Sequence, residues 1–182
     1  MRKTDARIRY TQSVLKQALL SFLKEKPINK ITVKEVCERA ELNRATFYAH
    51  YSDCFALLES IEEDLLEAFQ QSLRLVDSFD VTALIEAIYT MIEQQQEACR
   101  VLIFQNVCPN VLRRMISLAR GKSIAYWKQH LHRVTEAELE MLYTHLSNGL
   151  MHVVVEGYEK YSREEVVRFV NRIVQCSLSQ FQ

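Results

Sequence analysis

The chain has 182 residues, of which 48% are hydrophobic and 25% are charged, and its formal net charge is zero. It contains only three glycines and two prolines; because an all-β fold needs many tight turns, this scarcity favours an all-α fold. No uncharged apolar stretch reaches the roughly 18 residues of a membrane-spanning helix, and the polar N-terminus predicts no signal peptide, so we expect a cytoplasmic protein with no membrane partner.

The first predicted elements are two helices separated by a break. An apolar stripe predicts a long helix over residues 5–25, and residues 26–30 end it because they include a proline. Thr32 and Glu35 have the spacing of a capping box, in which each side chain accepts a backbone N–H of the other residue. The capping box predicts that a short second helix begins directly after Thr32.

A third short helix follows after a turn. Asn43 is a suitable N-cap, so we expect this helix to run from Arg44 to about Ala49. Two short helices joined by a turn of about three or four residues indicate a helix-turn-helix. The motif covers roughly residues 32–51, and residues 1–51 are predicted to form a separate N-terminal domain.

The rest of the chain is predicted to be helical as well, without repeats or strands. Ser52 and Asp53 can cap a long fourth helix that runs to about residue 76, and residues 77–80 are polar and typical of a turn. Pro109 suits the first turn of a later helix, which could bend near Gly121. Two further capping boxes begin at Thr135 and Ser162. Nine helices are predicted in all, the last five over about 81–94, 97–106, 109–133, 136–159 and 163–181.

The third helix is too short and too polar to be a core helix, which favours a contact with DNA. A helix of this size fits the major groove, where Arg44 can pair with guanine or phosphate, and Asn43 or Thr46 with bases or phosphate. Tyr48 and Tyr51 lie at its end, where hydroxyls reach phosphates. The predicted DNA-binding residues are Thr32, Lys34, Asn43, Arg44, Ala45, Thr46, Tyr48, His50 and Tyr51.

Charge is distributed unevenly along the chain. Residues 1–51 contain 11 Lys and Arg against 5 Asp and Glu, whereas residues 52–182 contain 12 against 18. A basic front and an acidic rear suggest a polyanionic partner for the front alone. By charge alone, a solvated basic face without a partner is an equal alternative.

The segment from Thr32 to Tyr51 resembles the N-terminal domain of the TetR family of regulators. Members show a T-x-x-[DE]-[IV]-[AC]-x-x-A stretch and a T-F-Y-x-[HY]-[FY] ending, and this chain matches both in order and spacing. The resemblance covers about residues 5–65 at the level of motifs. The matching residues are Thr32, Glu35, Val36, Cys37, Ala40, Thr46, Phe47, Tyr48, His50 and Tyr51.

The resemblance implies an all-α fold with two domains. A three-helix DNA-binding domain over residues 1–51 precedes a helical effector-binding and dimerisation domain over residues 52–182. Such proteins are usually homodimers that bind a palindromic double-stranded operator, and most are repressors that a small-molecule effector releases from DNA. The alternative is a TetR-like adaptor or coactivator that a partner protein controls in place of a small ligand.

Two residues depart from the family pattern. Glu41 stands in the turn where the family often has glycine, and a positive φ there would cost about 1 kcal/mol relative to glycine. Cys54 stands where a lysine often contacts phosphate, which puts one phosphate contact in doubt. We therefore expect DNA contact near the turn to be less electrostatic than in typical relatives.

The last two helices carry broad apolar stripes that favour a dimer interface, although burial within the monomer would give the same pattern. The residues assigned to the interface are Leu142, Leu146, Gly149, Leu150, Val153, Val166, Val170, Ile173 and Val174. A ligand pocket would lie among the helices from about 80 to 160. Its candidate residues are Tyr89, Cys99, Phe104, Tyr126, Trp127, His130, His145 and His152, each of which is more often a core residue than a ligand contact.

The sequence offers little evidence for redox chemistry, metal binding or catalysis. No C-x-x-C pair is present, so we expect the five cysteines to be reduced and mostly buried; a redox sensor that uses Cys99 and Cys108 is the alternative. The histidine spacings predict no metal site. Without a phosphate loop, a nucleophile elbow or an H-E-x-x-H motif, we expect no enzyme and no cofactor.

Overall fold

The computed structural model describes residues 3–74 and 81–181. The described residues form helices and turns without a strand, which confirms the all-α prediction. The predicted turn over residues 77–80 lies outside the described residues. Among the helices that are described, none is both long and apolar enough to cross a membrane.

Nine α-helices lie within the described residues. The first four are α1 (Lys3–Leu23), α2 (Val33–Arg39), α3 (Arg44–Tyr48) and α4 (Cys54–Arg74), with a 3-10 turn at Ile28–Lys30 between α1 and α2. The others are α5 (Val81–Gln94), α6 (Gln96–Ala98), α7 (Pro109–His130), α8 (Glu136–Gly157) and α9 (Arg163–Leu178). A π-helical segment, Cys99–Phe104, continues α6, and a 3-10 turn, Ser179–Phe181, follows α9.

One helix and several helix ends, those of α7 and α8 among them, differ from the predictions. The helix predicted over 97–106 is a single α-turn that continues as π-helix. α7 runs unbroken through Gly121 but ends before residue 133, because the backbone N–H groups of His132 and Arg133 donate to the carbonyl of Phe181 instead. α8 ends at Gly157 and not at residue 159. Gly157 packs closely on α9, because a Cβ added there would lie 3.2 Å from a methyl of Val166.

The chain divides into two compact units. The first contains Met1–Leu65 and Glu97–Cys108. Its fully buried side chains include Leu15, Leu19, Phe47 and Leu57, which come from α1, α3 and α4. The predicted domain boundary between residues 51 and 52 stays a prediction.

Two ion pairs join distant parts of the first unit. The ammonium of Lys16 lies 2.5 Å from the carboxylate of Asp64, and that of Lys24 lies 2.8 Å from the carboxylate of Glu97. The second pair links α1 to the beginning of the Glu97–Cys108 segment. This ion pair therefore connects the segment to the N-terminal part of the first unit, from which it is distant in sequence.

The second unit contains Leu66–Gln96 and Pro109–Gln182. α8 packs on α7 and α9, and α9 also packs on α5. At the start of α9, the guanidinium of Arg163 binds the carboxylate of Glu86, lies 3.3 Å from that of Glu93 and covers the ring of Tyr89 at 5.1 Å. These contacts fix α9 against α5.

Candidate functional site

The start of α2 is closed by the predicted capping box. The Thr32 hydroxyl accepts the backbone N–H of Glu35 at 3.3 Å, and the Glu35 carboxylate accepts that of Thr32 at 2.9 Å. Lys26 donates to the same carboxylate at 2.6 Å. The hydrogen bonds from Lys26 and Thr32 lower the pKa of Glu35 to about 2. The carboxylate therefore holds α2 in place while it is ionised. The capping boxes of α8 and α9 are confirmed too, with the same geometry at Thr135, Glu138, Ser162 and Glu165.

The turn after α2 is left-handed at Glu41. The φ angle of Glu41 is 54°, and the Leu42 N–H donates to the Cys37 carbonyl at 2.9 Å, which closes the C-terminus of α2. Glu41 therefore has a positive φ at the position where the family often has glycine. A side chain in this conformation costs about 1 kcal/mol relative to glycine.

α3 combines one buried anchor with an exposed polar surface. The Asn43 side-chain oxygen accepts the backbone N–H of Thr46 at 2.7 Å and its hydroxyl at 3.0 Å, which confirms the predicted N-cap. The Phe47 ring is fully buried. Arg44 is exposed and pairs with no carboxylate among the described residues, and Tyr48 is 58% exposed. The outward face of α3 therefore offers donors to a ligand in solution.

The nine predicted DNA-binding residues differ in their exposure to solvent. Six are exposed, and Thr46 and His50 are half-buried. Tyr51 is the exception: it is 8% exposed, its ring lies 5.9 Å from that of Phe47, and its hydroxyl is buried without a partner among the described residues. The prediction that Tyr51 points toward phosphates is therefore wrong for this conformation, because the ring packs inward. The exposed residues are Thr32, Lys34, Asn43, Arg44, Ala45 and Tyr48.

The start of α4 lacks a cation. The carboxylate of Asp53 caps the helix by accepting the backbone N–H of Ala56 at 2.8 Å. Cys54 is buried, and burial together with the charge of Asp53 raises its pKa to about 11. The neighbouring Phe55 is 56% exposed. The position where the family often has a phosphate-binding lysine therefore holds a neutral, inaccessible thiol.

The other thiols are equally unreactive where they are buried. All five cysteines are free, and four of them are buried. Burial raises the pKa of Cys99 to about 12, and burial with a hydrogen bond to Glu62 raises that of Cys108 to about 12. Since the thiolate is the reactive form, this argues against the redox alternative.

An apolar surface lies on α8 and α9. We call it the α8–α9 face and define it by Gly149, Val153, Phe169 and Ile173. Phe169 and Ile173 are 45% and 44% exposed, and a Cβ added at Gly149 would meet no atom within 4 Å. Two residues of this face, Val153 and Phe169, also line an adjoining apolar groove of about 400 Å³ together with Tyr161. Large exposed apolar patches are typical of protein–protein interfaces.

The α8–α9 face is narrower than predicted. Five of the nine residues assigned to a dimer interface are buried in the chain's own core, so their assignment is corrected; they are Leu146, Leu150, Val166, Val170 and Val174. Leu142 and Val153 are half-buried, and Gly149 and Ile173 are exposed. Phe169 extends the exposed set and was missing from the prediction. Its place in the sequence stripe was the signal for it.

Two small cavities lie inside the second unit. Their volumes are about 40 and 30 Å³, and we call them the outer and the inner cavity. The outer cavity is lined by Val81, Leu84, Ser123, Trp127, Tyr143, Leu146, Ser147, Leu150 and Val174. The inner cavity is lined by Phe69, Leu84, Ile88, Met115, Ile116, Ala119, Tyr143, Ser147, Leu150 and Met151.

One of the eight predicted ligand residues, Trp127, lines a cavity, and the other seven lie elsewhere. Cys99 and Phe104 belong to the first unit, and Tyr89 is buried between Arg163 and Tyr158. Four more are outside both cavities: the half-buried Tyr126 stacks on His130 at 4.1 Å, and His130, His145 and His152 are exposed. Tyr143 and Leu84 line both cavities and were not among the predicted residues, because no local pattern distinguishes them from core residues. No group of three or more possible metal ligands lies among the described residues.

The comparisons with known proteins agree with this architecture. No protein-family model matches the chain. A segment of 62 residues is 37% identical to the HTH-type transcriptional regulator YxbF of Bacillus subtilis. The matched segment covers 34% of this chain but only 16% of that protein. A TetR transcriptional regulator of Streptococcus agalactiae superposes with a TM-score of 0.69 at 22% identity, covering 94% of this chain and 97% of that chain. The dihydroxyacetone kinase operon activator DhaS superposes with a TM-score of 0.64 at 15% identity, covering 94% and 98%.

These findings define the class of fold. The chain has the fold of the TetR-family regulators, as the motif predicted. The proteins that it resembles are described as transcriptional regulators or, in the case of DhaS, as the activator of an operon, and not as enzymes.

Proposed function

We propose that the chain is a dimeric DNA-binding transcriptional regulator of the TetR type, acting in the cytoplasm. It would bind a palindromic operator, repress transcription and leave the DNA when an effector binds its second unit. The observation that carries this proposal is the outward face of α3. Arg44, Asn43 and Tyr48 are exposed there above the fully buried Phe47, and a helix presented in this way can enter a major groove.

Electrostatics support the same surface. The excess of cations in residues 1–51 would attract the phosphate backbone, which supplies much of the affinity for DNA. The Asn43 side-chain oxygen is committed to the cap, so its amide N–H groups are left to donate to a base or phosphate. The missing lysine at Cys54 removes one contact, so the remaining donors carry more of the binding.

Selection from random double-stranded DNA tests the proposal without a known operator. We expect enrichment of a palindrome, and we expect the affinity for it to fall at least a hundredfold between about 50 and 200 mM salt, because several phosphate contacts release counterions. A selection that enriches no sequence, or an affinity independent of salt, would contradict the proposal.

The α8–α9 face supports the proposed homodimer. Two exposed helical glycines offer a matched pair of variants, since a Cβ at either Gly149 or Gly121 meets no atom within 4 Å. Gly149→Leu lies on the face and should weaken the dimer by blocking close helix approach. Gly121→Leu lies on α7 and should leave it intact. Sedimentation equilibrium measures both, and an equal dimer constant for the two variants would remove the face from the interface.

Chain connectivity offers a route from effector to DNA. α5 and α7 provide walls of both cavities, and between them the chain runs through the Glu97–Cys108 segment of the first unit. There Glu97 is bound by Lys24. A ligand that favours another position of α5 or α7 would therefore pull on a segment anchored near the DNA motif, which is how differential affinity becomes regulation.

A second candidate is control by a partner protein. The apolar groove of about 400 Å³ beside the α8–α9 face favours it, because it is far larger than either cavity. Native mass spectrometry of the protein purified from its host distinguishes the two. A retained small molecule supports the effector, whereas a stoichiometric second polypeptide supports the partner protein.

A further inference from the structure

The outer and inner cavities share part of their walls. Leu84, Tyr143, Ser147 and Leu150 line both, and Tyr143 has the largest side chain of the four. It is 5% exposed, and its hydroxyl donates to the Ile116 carbonyl at 2.5 Å, which joins α8 to α7. The Tyr143 ring is therefore the largest part of the wall that the two cavities have in common.

Both cavities are too small for a ligand as they stand. Binding sites for small molecules usually have volumes of about 300–1,000 Å³, whereas these have about 40 and 30 Å³. Each has room for little more than a water molecule or two. A ligand can enter only if the two spaces are joined and enlarged, and displacement of the Tyr143 ring does both.

The lining decides which chemistry the joined cavity accepts. Among the described residues, no lining side chain of either cavity carries a charge. Two of the polar groups already donate within the protein: Tyr143 donates to the Ile116 carbonyl, and the Ser147 hydroxyl donates to the Tyr143 carbonyl at 2.6 Å. The other two polar side chains of the lining, Ser123 and Trp127, are neutral. Burial raises the pKa of Tyr143 to about 12, so the phenol is neutral. An ionised group brought into these walls would lose its hydration without gaining a charged partner, which costs several kcal/mol.

We propose that the effector is an uncharged, largely apolar molecule with an extended alkyl chain, and that Tyr143 is the gate that it displaces to join the outer and inner cavities. This inference rests on the proposed function, since it names the class of ligand for the same regulator. Two adjoining narrow spaces suit a chain better than a wide ring system. Displacing Tyr143 also breaks its hydrogen bond to α7, so the ligand alters the contact between two helices.

The only tryptophan of the chain reports on the site. Trp127 lines the outer cavity, and its ring lies 6.0 Å from that of Tyr143 in an edge-on arrangement. Its emission should therefore change when a ligand moves Tyr143. The probes are 1-decanol, decanoate and decylammonium below their micelle concentrations, because they share a chain length and differ in charge. We expect saturable binding of decanol to the full-length protein, at least tenfold tighter than that of either ion.

Variants of Tyr143 test the gate. Tyr143→Phe keeps the ring but removes the hydrogen bond that holds it closed, so decanol should bind about fivefold tighter, the equivalent of one hydrogen bond of about 1 kcal/mol. Tyr143→Ala joins the cavities permanently and should bind more tightly still. Tyr161→Ala is the matched control: it removes a tyrosine, 61% exposed, from the groove beside the α8–α9 face, and it should leave decanol affinity unchanged. Calorimetry confirms each constant independently of fluorescence.

Three results would overturn the inference: decanol fails to bind saturably, an ion binds as tightly as decanol, or Tyr161→Ala weakens binding while the Tyr143 variants leave the affinity unchanged. The last result would place the ligand in the surface groove. Operator binding by the ligand-free protein is measured in parallel. Its loss contradicts the proposed function, whereas intact operator binding without decanol binding contradicts the effector class alone.

Discussion

The α2–α3 motif and the α8–α9 face expose chemically different surfaces to solvent. α3 buries one aromatic ring and exposes polar side chains, whereas α9 exposes Phe169 and Ile173 beside the buried Val170. A polar, hydrogen-bonding surface in a basic region suits a hydrated polyanion, and an apolar surface suits another protein. The contrast indicates that two regions of one chain are suited to different kinds of partner, and we expect that each can be disrupted without the other.

The largest effect is expected when the α8–α9 face is made polar. Phe169→Asp combined with Ile173→Asp should give a monomer, because two charges would be buried between subunits. The monomer can contact one half of a palindrome, so operator affinity should fall a hundredfold or more. Sedimentation gives the oligomeric state, and fluorescence anisotropy gives the affinity.

The control for this variant is Leu118→Asp. Leu118 is 40% exposed on α7, so it matches the exposure of the other two residues but lies off the face. It should leave both the dimer and the affinity unchanged. If the double variant is still a dimer, the face is not the interface.

The next effect in size concerns Arg44. Arg44→Ala removes an exposed cation from α3 and should weaken operator binding by about 1–3 kcal/mol, which is five- to more than a hundredfold. Anisotropy across several operator sequences and salt concentrations separates the two possible contacts. A uniform loss with a salt slope reduced by about one indicates a phosphate contact, whereas a changed sequence preference indicates a base contact.

Lys160→Ala is the matched control for charge. Lys160 is exposed near the end of α8, where it pairs with Glu156 at 3.0 Å. Removing this cation should leave operator affinity unchanged. If the two variants lose affinity equally, the effect comes from net charge and not from a contact between α3 and DNA.

Tyr48 and Tyr51 sharpen the comparison within one motif, because one hydroxyl is exposed and the other is buried. Tyr48→Phe should weaken operator binding about fivefold, by the loss of a phosphate hydrogen bond of about 1 kcal/mol, without a change in stability. Tyr51→Phe removes a buried hydroxyl that lacks a partner among the described residues. It should stabilise the protein by about 1 kcal/mol and leave affinity unchanged.

Thermal unfolding and anisotropy on both tyrosine variants decide this prediction. Because both substitutions remove a single oxygen atom, each variant is the control for the other. A loss of affinity in Tyr51→Phe would show that the ring turns outward on DNA, which would restore its predicted role as a phosphate contact.

The same contrast explains how much could be predicted from the sequence. The helix-turn-helix depends on local spacing, so Thr32, Glu35 and Asn43 identified both helix starts. The α9 stripe gave the right helix but not the right side, because Val170 and Phe169 are neighbours in sequence and face the core and the solvent, respectively. Periodicity shows that a helix has an apolar face, but it does not say whether the chain itself or a partner covers it.

The cavities could not be predicted for a related reason. Leu84, Trp127 and Tyr143 come from three helices and meet only in the folded chain. In the sequence each is one more apolar residue of an amphipathic stripe. The prediction instead chose aromatic or polar residues such as His145, because residue type can be read from a sequence. An empty space between buried residues cannot be read from it.

The smallest effect concerns the turn that joins α2 to α3. Glu41 has a φ of 54°, a conformation in which a side chain costs about 1 kcal/mol relative to glycine, partly offset by the greater freedom of glycine in the unfolded chain. Glu41→Gly should therefore raise the free energy of unfolding by about 0.5–1 kcal/mol and leave operator affinity unchanged.

Glu38→Gly supplies the opposite sign within the same motif. Glu38 lies inside α2 (Val33–Arg39) and is exposed, so glycine there should destabilise the protein by about 1 kcal/mol. Chemical denaturation of the two variants measures the difference. If Glu41→Gly is also destabilising, the Glu41 side chain contributes more to the motif than its backbone strain costs, and the departure from glycine at this turn stabilises this chain.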